Sequence, residues 1–239
     1  MIVLLTDFGL DGPYTGQVQA VLHHQAPGIP VISLFADLAT FDIQAAAYLL
    51  PPYTQGFAPG TVFLCVVDPG VGSQRPGVAV RADGRWYVGP NEGLFAILAR
   101  RAWHVECWRL PEVEHASATF HARDVFAPTA GRLARGGGVP GVPVSAETVL
   151  QPDWPDDLFR VVYIDHYGNA VTGVRAGAMP EDAVLRTGDY LLPRVRTFSD
   201  VGRGVPFWYE NANGLVEIAV NQGRADRELG LRVGTGFRK

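Results

Sequence analysis

The stretch T-V-F-L-C-V-V-D-P-G-V-G-S-Q-R-P-G, Thr61 to Gly77, sets the fold. Its apolar, β-branched beginning, Thr61 to Val67, is too short for a stable helix and predicts a buried strand. Asp68 then emerges at the strand's carboxyl end, the edge where open α/β sheets place their ligands. Pro69, Gly70, Gly72, Pro76 and Gly77 oppose a long helix and predict a turning loop. That loop holds a carboxylate, Asp68, and a guanidinium, Arg75, in a rigid frame. A surface ion pair would be worth little; at the end of a buried strand the same pair reads as a chemical centre.

Outward from this stretch the pattern alternates. Ile2 to Leu5, Val31 to Phe35 and Thr61 to Val67 read as strands, and Tyr14 to His24, Asp42 to Leu50 and Gly93 to Arg100 as helices. Such alternation predicts a mostly parallel sheet covered on both faces. Val78 to Arg81 and Trp86 to Val88, joined by A-D-G-R, instead read as an Asp-Gly hairpin, which makes the sheet mixed. The run R-G-G-G-V-P-G-V-P, Arg135 to Pro143, and the prolines in Gln151 to Asp157 mark a boundary. We take residues 1–150 as an α/β domain and 151–239 as a small β domain. In the latter, Phe159 to Ile164, Ala183 to Leu185, Tyr190 to Leu192 and Leu215 to Val220 read as strands, with no convincing helix.

Composition narrows the partners. The chain's 239 residues are 47% hydrophobic, enough for a real core, and 20 Lys and Arg against 24 Asp and Glu leave a net charge of −4 with no long basic run. No electrostatic footprint for nucleic acid is present, and a small-molecule partner is favoured. Cys65 and Cys107 both lie in apolar runs, so neither a disulfide framework nor a thiolate metal site is expected, and a reducing cytoplasm fits. No stretch reaches membrane-spanning length. No Walker lysine loop, H-E-x-x-H or G-x-S-x-G occurs, and G-V-G-S-Q-R lacks the third glycine of a dinucleotide fingerprint.

Other residues suggest a ligand. Asp7 ends the first strand, is followed by Phe8, and suits a ribose diol; Asp11 is the better cap for the first helix. H-A-R-D, His121 to Asp124, precedes a helical segment, Val125 to Leu133, that Asp124 can cap. His121 alone reads as a packed or surface histidine and gains a chemical role only by meeting Asp68 and Arg75 in space. D-H-Y-G-N, Asp165 to Asn169, offers an acid, a ring and an amide for an ammonium, a flat base and a heteroatom edge, or else an ordinary Gly-Asn turn. In F-W-Y-E-N-A-N-G, Phe207 to Gly214, three successive aromatics cannot all face one core, so one is expected to face solvent or ligand.

Together T-D-F-G (Thr6 to Gly9), V-D-P-G-V-G (Val67 to Gly72) with Arg75, F-H-A-R-D-V-F-A-P (Phe120 to Pro128), D-H-Y-G-N and the terminal E-I-A-V-N-Q-G-R-A (Glu217 to Ala225) resemble the S-adenosyl-L-methionine hydrolase (adenosine-forming) family, also called S-adenosyl-L-methionine hydroxide adenosyltransferases. Fluorinase and chlorinase enzymes are its relatives. The resemblance implies a Rossmann-like α/β/α domain followed by a β-barrel, in a homotrimer whose substrate lies between the first domain of one subunit and the second of its neighbour. It assigns Asp68, Arg75 and His121 to the activation of water. It assigns Asp7 to the ribose, Phe41 to an aromatic contact, Asp165 to the methionine ammonium, Tyr167 and Asn169 to adenine, and Ala225 to a loop whose backbone reads the adenine edge. Phe8, Phe207, Asn211 and Asn213 complete the expected binding set. No metal or cofactor is implied.

Some positions depart from the family's pattern: Ala212 replaces a serine near methionine, H-A-R-D replaces H-G-R-D at Ala122, P-N-E-G replaces P-D-N-G at Pro90 to Gly93, and Phe35 and Ala36 replace a threonine and a histidine. The segment between Leu50 and Val67 is too short for the insertion that supplies the fluorinase's halide pocket. The expected reaction is attack of water on the ribose C5′, giving adenosine and L-methionine. Chloride-using adenosyl transfer, a non-catalytic adenosine or S-adenosyl-L-methionine sensor and a metal-dependent phosphoesterase are the alternatives.

Overall fold

The computed structural model describes residues 1–239, which divide into two compact units, Met1–Pro152 and Asp153–Lys239. In the first, β1 (Ile2–Thr6) and β3 (Val62–Val66) are buried along their whole length, as strands covered on both faces must be. They are interior strands of a seven-stranded sheet that also contains β2 (Val31–Phe35), β4 (Gly77–Ala82), β5 (Arg85–Pro90), β6 (Val105–Arg109) and β7 (Val142–Val144), in the order β2-β1-β3-β5-β4-β6-β7. The β2-β1-β3-β5 half is parallel and the β5-β4-β6-β7 half antiparallel, so the sheet is mixed. Asp83 and Gly84, both with positive φ, make the expected β4–β5 hairpin.

Strand alternation decides which helices cover which face. Ile2, Leu4, Val62, Leu64 and Val66 share a core with Val18 and Leu22 of α1 (Tyr14–Gln25) and with Ala127, Ala130 and Leu133 of α4 (Ala127–Ala134). Phe63 faces the other way and stacks on Tyr87 at 4.9 Å. Tyr87 in turn donates to Thr54 of α2 (Ile43–Thr54) at 3.0 Å, and α2 packs on α3 (Ala96–Arg101).

Local chemistry moves several boundaries. Asp42 caps α2 by accepting from the amide of Ala45 at 2.8 Å, but α2 continues beyond Leu50 through Pro51 and Pro52. Its last turn is held by the Thr54 hydroxyl on the Leu50 carbonyl and the Gln55 amide on that of Pro51. α1 starts after Pro13 with no side-chain cap, so Asp11 does not take that role. Asp124 likewise caps no helix: it lies inside a π-helical turn, Ala122–Phe126, and accepts from the Ser117 amide at 2.8 Å. Within the Gly-Pro run, Val142–Val144 pairs with β6, with Pro143 on a sheet edge where its missing N–H costs nothing.

In the second unit β8 (Leu158–Ile164), β9 (Ala170–Arg175), β12 (Pro206–Glu210) and β13 (Leu215–Val220) form an antiparallel sheet in the order β12-β13-β9-β8. β10 (Leu185–Thr187) and β11 (Tyr190–Leu192) form a separate hairpin. The ladders leave the four-stranded sheet open rather than closed as a barrel; isolated bridges join Arg160 to Gly236, Arg186 to Arg238 and Arg194 to Trp208. A one-turn helix, α5 (Ala225–Glu228), follows β13 and is too short for a periodic pattern to announce it. No helix is long and apolar enough to cross a membrane.

Candidate active site

β1 and β3 run in parallel with Thr6 opposite Val66, so the chain delivers Asp7 and Asp68 side by side at the carboxyl end of the sheet. Arg75 folds back on Asp68, its Nη2 donating to Oδ2 at 2.6 Å, and both side chains are about 95% buried (5% and 6% exposed). The guanidinium also donates from Nη1 to the Pro76 carbonyl at 2.8 Å and lies 5.7 Å from the Phe126 ring centre. Two glycines permit this loop. Gly72 has φ +83°, and a Cβ there would lie 2.6 Å from the Ala118 carbonyl oxygen; a Cβ on Gly70 would collide with the Glu92 carboxylate.

His121 stands immediately before the π-helical turn, with its ring edge-on to Phe126 at 6.5 Å. It lines, with Arg75, Pro76, Arg109, Leu110 and Phe126, a cleft of about 900 Å³. The structure thus brings His121 to the Asp68–Arg75 pair, the convergence that sequence spacing leaves open. Burial raises the Asp68 carboxyl above its ordinary value; Arg75 and His121 pull it down, and Glu92 pushes it further up. Glu92, just past β5, places Oε1 3.9 Å from Arg75 Nε. Its importance is absent from sequence reasoning, which registers P-N-E-G only as a departure. Neighbouring Asp124 is held below the ordinary carboxylate range, chiefly by the two bonds it accepts from Arg123 at 2.6 and 2.8 Å.

Asp7 accepts from the amide of Phe41 at 3.1 Å. Phe41 has φ +63° and is 69% exposed, so its side chain is open to solvent while its amide anchors the carboxylate. Phe8 packs with Tyr14 and Phe120 in an aromatic trio, centres 5.5 to 6.1 Å apart. Burial, the largest influence, raises the Asp7 carboxyl above its ordinary value against the pull of the Phe41 amide.

A second cluster lies within the other unit. D-H-Y-G-N is the β8–β9 turn: Asp165 accepts from the amide and side chain of Asn169 at 2.8 and 3.1 Å, and Gly168 has φ +87°. Tyr167 is 72% exposed at its tip. The loop before α5 docks here, with Arg224 donating to Asp226 and to the His166 carbonyl, and Ala225 is fully buried behind it. Asn211 accepts from the amides of Asn213 and Leu215 and donates to Glu217, which also accepts from Tyr209. Burial raises the Glu217 carboxyl. A carboxylate inside the otherwise apolar β13 is the signal that sequence reading passed over.

Phe207, expected as a ligand contact, is fully buried within the chain, edge-on to Phe198 at 5.2 Å. Trp208 is equally buried on the opposite face of β12 and donates to the Ala183 carbonyl at 2.9 Å, so only Tyr209 remains half-buried. The unit has apolar cover on both faces of this strand, which accommodates two of the three aromatics.

Residues 2–142 match the SAM hydroxide adenosyltransferase N-terminal domain, and residues 159–238 match the corresponding C-terminal domain. An "(R)-S-adenosyl-L-methionine hydrolase" of Thermus thermophilus is 40% identical, over 99% of this chain and 98% of the relative. One of the same name from Salinispora arenicola is 34% identical, over 99% and 96%. Among solved structures, an uncharacterized conserved protein from Thermotoga maritima superposes with a TM-score of 0.88 at 28% identity, covering 99% of this chain and 98% of that one. A conserved hypothetical protein from Thermus thermophilus does so at 0.79 and 36% identity, with the same coverage.

Proposed function

Because the chain belongs to the SAM hydroxide adenosyltransferase family, we propose that it hydrolyses S-adenosyl-L-methionine to adenosine and L-methionine. The observation that carries this reading in the structure is the buried Asp68–Arg75 pair at the ligand edge of the sheet, whose Arg75 lines one cleft with His121. A sulfonium leaves as a neutral thioether and needs no general acid. The difficulty lies in the nucleophile, because water is weakly nucleophilic until it loses a proton. In this reading Arg75 stabilises developing hydroxide, Asp68 orients Arg75, and His121 accepts or relays the proton. Orientation of oxygen, C5′ and sulfur in line supplies much of the acceleration. The reading uses no metal or cofactor.

Asp7 and Phe41 hold the ribose end, and Asp165, Tyr167 and Asn169 the methionine and adenine ends. We further propose that these two sets meet across subunits of a cytoplasmic homotrimer, and that the bridges at Arg160, Arg186 and Arg194 carry the second unit's strand order round towards a barrel. Incubation of the protein with each sulfonium epimer separately, followed by chromatography, tests the activity. Adenosine and methionine in equal amounts, fastest from the R form for which the relatives are named, are expected. Formation of 5′-chloro-5′-deoxyadenosine in chloride faster than adenosine would replace hydrolysis with halide transfer.

Asp7→Asn separates binding from stability. Asparagine still accepts from the Phe41 amide but removes a charge that the fold disfavours. A raised native pKa means that the ionised carboxylate weakens the fold above the ordinary value, while the protonated form below it costs nothing. The variant should therefore melt at or above the wild-type temperature at pH 7, with the difference closing as pH falls below about 4. Its affinity for substrate should fall about tenfold through a weakened bond to the ribose. Scanning and titration calorimetry read both; a lower melting temperature with unchanged affinity would assign Asp7 to structure alone.

A further inference from the structure

Three buried side-chain atoms beside the cleft have no hydrogen-bond partner: Asp68 Oδ1, Arg75 Nε and Glu92 Oε2. They belong to one group of contacts, since Arg75 Nη2 is bonded to Asp68 and Arg75 Nε is 3.9 Å from Glu92 Oε1. Buried polar atoms seldom stay unpaired without a functional or solvent role. Their chemistry is complementary, because two are carboxylate acceptors and the third is an N–H donor. This set suits a single water, which would donate one proton to each carboxylate and accept from Arg75 Nε, within the two to four partners an ordered water takes. Four tetrahedral positions less these three leave one lone pair, free to face an electrophile.

We infer that Glu92 is a further residue of the hydrolytic site, holding the attacking water together with Asp68 and Arg75. The inference rests on the hydrolase reading. As the water oxygen bonds to C5′, the C5′–S bond breaks and its electron pair stays on sulfur, giving the neutral thioether of methionine. One water proton remains as the new adenosine hydroxyl, and the other passes to the Glu92 carboxylate it already touches, from which His121 relays it to solvent. Gly70 belongs to the same device, because a Cβ there would displace the Glu92 carboxylate.

Glu92→Gln keeps the side chain's size but cannot take the proton. Its kcat should fall about a hundredfold with KM within about threefold of wild type. The charged and titratable groups acting on Asp68 are Arg75, Glu92 and His121, and Glu92 pushes the Asp68 carboxyl upward. Loss of that charge should therefore move the acid limb of the kcat profile to lower pH. Glu92→Asp, which retains the charge, should leave the limb in place and recover part of the rate. Gly70→Ala should follow Glu92→Gln in rate, and it carries the test if Glu92→Gln fails to fold by its melting curve. Wild-type kcat with an unmoved acid limb in Glu92→Gln, or a change in KM alone, would overturn the inference while wild-type adenosine formation leaves the hydrolase reading standing. Absence of adenosine from the wild-type reaction itself would remove both.

Discussion

Arg75→Ala is expected to lower turnover about a thousandfold while changing substrate affinity little. The guanidinium is assigned to the nucleophile rather than to the ligand, and its loss removes the donor that would stabilise developing hydroxide. It also strands Asp68, a 6% exposed carboxylate, without its counter-charge. Removing one partner of a buried pair typically costs about 3–5 kcal/mol. Burial already raises the Asp68 carboxyl, and removal of the opposing charge should raise it further, so the variant's stability should fall most above the ordinary carboxylate range. Single-turnover rates and equilibrium affinity, measured where the melting curve shows the variant folded, separate these effects. A large loss of affinity with unchanged turnover would move Arg75 from the chemistry to substrate binding. His121→Ala should resemble it in turnover without the loss of stability, since no ion pair is broken.

A mixture of Arg75→Ala and Asp165→Ala chains is expected to be active where neither is alone. If each site takes its nucleophile half from one subunit and its methionine half from the next, random assembly of equal amounts restores a wild-type pair at about a quarter of the sites in a cyclic trimer. Against the Arg75→Ala parent at about a thousandth of normal turnover, that is a gain above about a hundredfold. Co-refolding or co-expression followed by the adenosine assay reads it. No gain, together with a monomeric mass by light scattering for active wild-type protein, would dismiss the shared site.

The first unit is largely legible in its sequence because its signals are local. Apolar runs at Ile2 and Val62 end in carboxylates, A-D-G-R carries its turn chemistry, and glycines and prolines fix the Asp68 loop. The resemblance ties His121 to the pair, but only tertiary structure displays the cleft they share, because 46 residues separate His121 from Arg75 along the chain. Glu92 is legible only as an odd residue after a strand, since its meaning comes from the approach of Gly70 and Arg75. The second unit resists reading where short strands are interrupted. Its three adjacent aromatics suggest an exposed ring, yet cover on both faces of β12 buries Phe207 and Trp208 together. Asp165 and Asn211 are also committed to turns, so any role towards a ligand is carried by residues already holding the backbone.

The π-helical turn from Ala122 to Phe126 separates two tasks on a continuous stretch of helix. Beyond it, Ala127, Ala130 and Leu133 keep the α-helical phase that seals them against the core. Each residue of an α-helix advances about 100°, so any residue added or lost in a plain helix would swing His121 out of phase with that packing stripe. The wider turn, closed by the Ala127 amide on the Ala122 carbonyl, absorbs one residue of offset. The imidazole's heading and the helix's seating are thereby set by different residues, and drift in one can accumulate across generations without dragging the other along.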